Sequence, residues 1–353
     1  LNLAKKWLET CLRDHVSCQN RNHPTDGWAP TRLLKVTGFR TSVFSMKLCL
    51  GSDLKAGTRY LTLSHCWGGR DIVKLTENML SSFKQDIPLS LLPQNFKDAA
   101  ALTLFLGYEY LWIDSLCIVQ DSPADWAREA AVMGDIYRYS LCTIAALGAA
   151  DPHGGCFLER SALSFVPCQL FLDPQTQRGV YAENWRNPSP NSSQASSRAR
   201  LLTRGWVLQE SALSPRTLYF GSDMLYYSCT STHISEAERT QSSSSYRPNI
   251  KQRFYDLLDK VEKGEDYYSW APFWWNIIRD YTACDLTVLS DKWPAISGLA
   301  AVVQSKSDTR LVHGLWEKHL VSEIMWRASA PRNNRRINEE MPSWSWIGIN
   351  EPV

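Results

Sequence analysis

The residues with the most obvious chemical potential are Ser64, His65, Cys66 and Trp67, which end an apolar strand-like run over residues 60–64. A serine, an imidazole and a thiol suggest a nucleophile and a base. Neighbours along a strand point to opposite faces, so Ser64 and His65 cannot face each other. Any dyad must be built across strands, for example from His65 or Ser64 with Cys117 or Asp114. Satisfied polar groups at a strand end stand level with that reading. Asp114, Ser115 and Cys117 follow a second short apolar run, residues 110–113, where open α/β sheets place ligands.

Three further sets carry side chains of interest. In the helix that starts at Ser122 and Pro123, a 100° wheel puts Trp126, Ala130, Met133, Ile136 and Tyr137 on one face. Glu129 falls inside that arc, where desolvation raises a carboxyl pKa. On spacing alone a structural ion pair is the first reading of Glu129, and catalysis the second. In residues 204–215, Trp206, Gln209 and Glu210 share one helical side behind Arg204, which suits part of a binding site or a buried hydrogen-bonded pair. Near the start, Cys11, His15 and Cys18 share a helical face and His23 follows. These are zinc-ligand types, but no standard finger has this spacing. Buried thiols on a packed helix come first, with no metal.

The elements that position these groups alternate. Strands are expected at 60–64, 110–113 and 142–147, with helices at 93–106 and from 123 onward between them. That order argues for a parallel sheet with right-handed crossovers over residues 55–160. Before it, residues 1–54 read as a helix followed by a β-hairpin. After it, residues 161–353 read as an α+β region with β-structure over 161–182 and a hairpin over 217–229. Helices are expected at 254–261, 270–281, 292–303 and 315–326, and a closing strand at 341–348.

Composition narrows the class. The chain has 353 residues, is 44% hydrophobic and carries a net charge of +2, so neither nucleic acid nor a membrane surface is implied as a partner. No apolar run approaches the ~20 residues of a membrane span. Fifteen tryptophans point to large aromatic cores or pockets. Ten cysteines without a CxxC pair read as reduced thiols of a cytoplasmic protein. A chain that opens on leucine reads as trimmed, which leaves a removed targeting segment open. P-loop, GxGxxG and HExxH motifs are absent.

The ordered motifs LSHCWGG at 63–69, YLWIDSLCIVQD at 110–121, DWAREAAVMGDIY at 125–137, GGCFLER at 154–160, RGWVLQE at 204–210 and LSPRTLYFG at 213–221 together resemble the fungal heterokaryon incompatibility (HET) domain family. The resemblance implies a core similar to Toll/interleukin-receptor (TIR) domains, with a flavodoxin-like parallel sheet. It implies a role in non-self recognition and programmed cell death. It also implies a small-molecule substrate, NAD, cleaved through a glutamate. By motif that glutamate is Glu129, near Trp126 but one residue closer than in the TIR pattern. By strand order it is Glu159, beside Cys156. Glu129 is preferred for its desolvating surroundings. Trp67 or Trp126 would stack on a ring, and Asp114 would hold a ribose hydroxyl. Two rivals stand beside this: a biosynthetic enzyme with a pocket of Cys117, His65 and Asp114 acting on a small metabolite, and a non-catalytic death effector that self-associates.

Overall fold

The structure, a computed structural model, describes residues 1–19, 28–40, 43–69, 72–160, 168–176, 178–182, 199–236, 250–328 and 341–353. In chain order the elements are α1 (Asn2–Asp14), α2 (Val16–Gln19), β1 (Arg32–Arg40), β2 (Val43–Leu50), β3 (Leu61–Ser64), α3 (Leu80–Phe83), α4 (Gln94–Phe105), β4 (Tyr110–Trp112), α5 (Asp114–Cys117), α6 (Pro123–Arg138) and β5 (Cys142–Ala145). They continue with β6 (Cys168–Leu172), β7 (Gly179–Ala182), α7 (Gly205–Leu213), β8 (Arg216–Phe220), β9 (Leu225–Cys229), β10 (His233–Ser235), α8 (Ile250–Glu262), α9 (Tyr267–Thr282), α10 (Pro294–Lys306), β11 (Leu311–Val312), β12 (Leu315–Trp316) and α11 (Leu320–Glu323). Among the described residues, no helix is long and apolar enough to cross a membrane.

Eight strands form one mixed sheet in the order β10-β9-β8-β5-β3-β4-β1-β2. Its centre, β4-β3-β5-β8, is parallel, and an antiparallel hairpin extends it at each edge. The β1–β2 pair was expected as part of an N-terminal extension; it joins the same sheet through β4. The central strands β3 and β5 are short and buried on both faces, and the threonines in LTLS and CTIA are accommodated by hydrogen-bonding to one another. Spatially the parallel strands run second, first, third, fourth in chain order. The connections therefore reverse direction between β3 and β5, which makes their carboxyl ends a topological switch point.

Alternation along β3 divides the neighbours. Thr62, Thr143 and Thr217 lie side by side in register on one face. There Thr62 and Thr143 share a 2.7 Å hydroxyl hydrogen bond, Thr143 donates to Ser214 Oγ at 2.8 Å, and the buried Lys251 ammonium donates to Thr217 at 3.3 Å. α6 covers this face, with Tyr137 edge-on to Trp112 at 5.7 Å. α7 and α10 pack beside α6. On the other face lies α4, whose Phe96 meets the His65 ring at 5.0 Å.

α6 and α10 cross where Gly134 and Gly298 meet. A Cβ on Gly298 would stand 2.9 Å from Gly134 Cα and 2.6 Å from Gln209 Oε1. Gly298→Val should therefore destabilise the fold by about 1–3 kcal/mol, read as a lowered thermal midpoint, because two backbones would have to separate. An unchanged midpoint would show the crossing to be loose.

Four local expectations are corrected. α1 does not continue to Cys18: it ends at His15, whose backbone turns extended (φ −91°, ψ 92°), and Cys18 sits on the separate α2. The helix expected over 315–326 is instead the small β11–β12 hairpin followed by α11, because His313 and Gly314 turn the chain with positive φ. The strand expected at 341–348 is a 3-10 turn at Trp346–Gly348, capped by Ser345. Trp126 is 36% exposed, outside the buried arc of α6; the neighbouring Asp125 points inward instead.

Candidate functional site

Loops leaving β3, β4 and β5 converge at the switch point with the start of α7. Gly68 allows the close approach of the first and third: its φ is +64°, and a Cβ there would stand 2.5 Å from Asp151 Cβ. The loop places Ser64 and His65 on opposite faces, as strand alternation demands. His65 goes to the α4 face and Ser64 to the side of Tyr137 and Glu210.

Asp114 is the hub. Its Oδ2 accepts from the Trp67 indole N–H at 2.8 Å, and its Oδ1 accepts from Ser115 N at 2.7 Å and lies 3.9 Å from His65 Nδ1. The Lys74 ammonium rests 5.3 Å from the Trp67 ring centre. Arg204, at the head of α7, donates to the His65 carbonyl and faces both His65 and Glu210. Asp114 keeps 20% of its side-chain exposure, while His65 beside it keeps 1%.

Burial sets the protonation of the inner groups. It pushes the His65 imidazole down to about 4, with Asp114 opposing and Arg204 adding to the shift, so His65 is neutral near pH 7. Burial raises the Glu210 carboxyl to about 7; Arg204 and the nearby Ser64 hydroxyl pull it down and Asp114 pushes it up. Among the described residues, Ser64 Oγ, His65 Nε2 and Glu210 Oε2 are buried with no hydrogen-bond partner of good geometry; Ser64 is close enough to lower the Glu210 pKa without completing such a bond. An unsatisfied buried polar atom costs about 1–3 kcal/mol, and native folds leave few. Ser64 Oγ and Glu210 Oε2 share one side of the strand end, and His65 Nε2 lies on the other. A neutral imidazole, a carboxyl titrating near neutrality, an arginine and a mostly buried aspartate can serve a polar, hydroxyl-bearing small molecule as donors and acceptors.

The other candidate residues go elsewhere. Glu129 is buried in an ion network at the start of β1: Arg32 Nη2 lies 3.4 Å from Glu129 Oε1 and also holds Asp125, while Arg128 holds Asp125 from outside. Burial raises the Glu129 pKa, with Thr31 and Arg32 pulling it down. Cys117 is buried in the same neighbourhood, its carbonyl accepting from Arg32 Nε at 2.6 Å; burial pushes its thiol well above the ordinary range. The structure does not bring Cys117 to His65. Glu159 is exposed at a loop end. On α7, Trp206 donates to Asp291 at 3.1 Å and Gln209 accepts from Gly298 N at 2.8 Å, so both serve packing of the C-terminal helices. Trp126 is exposed and joins neither group. Cys11, His15 and Cys18 come together with Cys229; His23 lies outside the described residues. Sequence reasoning missed Tyr137 as a neighbour of Glu210, Arg32 and Asp125 as a buried pair, and Cys229. Only Tyr137 had a usable signal, its place on the inward face of α6.

Residues 60–210 match the family model described as Heterokaryon incompatibility protein (HET). Ser64, His65, Trp67, Asp114, Arg204 and Glu210 all fall within that segment. No curated protein and no solved structure matches the chain.

Proposed function

Taking as premise that residues 60–210 are a heterokaryon incompatibility domain, we propose that this chain is a cytoplasmic effector of fungal non-self recognition and cell death that hydrolyses NAD at the nicotinamide glycosidic bond. The order of the parallel strands supports reading the core as flavodoxin-like and TIR-related. The observation that carries the chemistry is Glu210, a buried carboxyl with a free oxygen, held at about 7 beside Arg204 and Ser64 at the switch point.

Glu210 thereby replaces Glu129 and Glu159 as the preferred glutamate. In the proposed reaction the bond from ribose C1′ to the pyridinium nitrogen breaks, and its electron pair leaves with neutral nicotinamide. Water adds to C1′ and its proton passes to the Glu210 carboxylate. That same negative charge stabilises the oxocarbenium-like state. Asp114 accepts from the ribose hydroxyls, Arg204 faces the diphosphate, and Trp67 offers a ring for stacking.

The test is incubation of purified protein with NAD, following nicotinamide and ADP-ribose. Turnover in the wild type that Arg204→Ala lowers by ~10-fold or more, through KM more than kcat, supports the reading. Absence of turnover across protein concentrations removes it. A second reading, a self-associating module without catalysis, is favoured by the β6–β7 hairpin, which exposes Leu170, Phe171, Val180 and Tyr181. Concentration-dependent oligomers without NAD turnover would select it.

A further inference from the structure

Outside the matched domain, the N-terminal helices and the end of β9 build a second cluster. Cys11 lies near the end of α1, His15 at its C-cap, Cys18 on α2, and Cys229 is the last residue of β9. The three sulfurs and one imidazole nitrogen all lie within 4.8 Å of one another. His15 Nδ1 is 3.3 Å from Cys229 Sγ. A tetrahedral zinc ion, with bonds of about 2.3 Å to sulfur and about 2.0 Å to nitrogen, sets ligand atoms roughly 3.6–3.8 Å apart. The cluster therefore needs only sub-ångström side-chain adjustments to close on an ion.

The surroundings fit a metal thiolate better than three neutral thiols. Arg216 is buried, and it donates from Nε to Cys11 Sγ at 3.2 Å, from Nη2 to the Cys18 carbonyl at 3.0 Å and from Nη1 to the Leu141 carbonyl at 3.2 Å. The anion facing that buried guanidinium is sulfur. A zinc ion with three thiolates and a neutral histidine carries a net charge of −1, which one arginine neutralises. The Thr230 hydroxyl is 2.8 Å from Cys18 Sγ and the Ser231 hydroxyl 3.5 Å away, so both can donate to it. Donors aimed at ligating sulfurs are the usual outer shell of such sites. The helix break at His15 gains a reason as well: a continuous helix would carry Cys18 past the point where its sulfur meets Cys229.

We propose that Cys11, His15, Cys18 and Cys229 form a structural zinc site. Four protein ligands leave no open position, so the ion is a staple and not a catalyst. It fastens α1 and α2 to an edge hairpin of the central sheet, joining residues 214 apart in sequence at His15 and Cys229. The site does not depend on the reaction proposed above.

The test uses the full chain purified under reducing conditions. Elemental analysis should find about one zinc per chain. Replacing it with cobalt should give visible ligand-field bands and a near-ultraviolet thiolate-to-cobalt band typical of tetrahedral sulfur-rich coordination. Cys229→Ser and His15→Ala should each lower metal affinity by ~10-fold or more, while Cys168→Ser, at an exposed thiol, should keep it. Should the ligand variants fail to fold, chelation of the wild type reads the same property: its melting temperature falls and zinc restores it. Zinc well below one per chain with no cobalt spectrum on titration would overturn the proposal. So would a disulfide among Cys11, Cys18 and Cys229 persisting in reductant.

Discussion

Glu210→Gln is expected to abolish nicotinamide release and, at pH 8, to raise the melting temperature. Both effects follow from one buried carboxyl. In the native chain it titrates at about 7, against an ordinary value of 4.5, chiefly because burial disfavours its charge. Between pH 4.5 and about 7 the folded state holds a proton that the unfolded state has lost. Stability therefore falls as pH rises through that window and stays lower above it. The difference amounts to on the order of 3 kcal/mol at pH 8. Glutamine keeps the shape and cannot ionise, so the variant avoids the loss. Its melting temperature should exceed that of the wild type at pH 8 and match it near pH 5, as thermal scans at the two values would read. Turnover should drop roughly 100-fold or more, since a positioned acid–base group contributes on that scale. In the wild type, the rate should rise with pH to a plateau above about 7. His65 cannot produce that limb, because burial holds it near 4. A variant that melts lower than the wild type at both pH values would assign Glu210 a purely structural part.

The second large effect belongs to stability. Arg32→Met should destabilise the fold by about 3–5 kcal/mol, since it leaves the buried Glu129 without its cation and Asp125 with only the exposed Arg128. Arg32, Asp125 and Glu129 keep 8%, 5% and 1% of their side-chain exposure, so water cannot take over the role of the guanidinium. Arg32 also donates to the Cys117 carbonyl, and Asp125 accepts from Val119 N at 2.8 Å, so the network ties β1 to the loop after β4. Burial already raises the Glu129 pKa and Arg32 pulls it down, so without Arg32 Glu129 is more readily neutralised by protonation and the variant should lose less at pH 5 than at pH 8. Urea unfolding at both values measures the difference. A loss below about 1 kcal/mol at pH 8 would mean that the network is solvated.

The contrast between Glu129 and Glu210 shows what the sequence could tell. Both sit on helices among apolar residues, and both were legible as inward-facing acids. Periodicity says that a side chain is buried; it does not say what it meets. Glu129 meets Arg32, more than ninety residues earlier in the chain, and Glu210 meets Arg204, Ser64 and Tyr137. The parallel centre of the sheet was legible because short strands alternated with amphipathic helices. The edge hairpin β1–β2 was legible as a hairpin, but its docking on β4 was not, since sheet order is set by packing between distant segments. Asp125, in the first turn of α6, is buried because Arg32 and Val119 N hold its carboxylate. Cys229 carried no signal next to Cys11, His15 and Cys18, because nothing local on a β-strand announces a partner on the N-terminal helices. The errors at 315–326 and 341–348 share a cause. Gly314 and Ser345 impose turns on stretches whose apolar content alone suits a helix or a strand.

The central claim is that catalysis resides in the strand-end cluster around Glu210. The most direct measurement is nicotinamide release from NAD by the wild type, Glu210→Gln, Glu129→Gln and Glu159→Gln, each confirmed folded by circular dichroism. The predicted result is loss of turnover in Glu210→Gln alone, with Glu159→Gln unchanged and Glu129→Gln altered only as far as its stability is. Full turnover in Glu210→Gln, or loss confined to Glu129→Gln or Glu159→Gln, would contradict it.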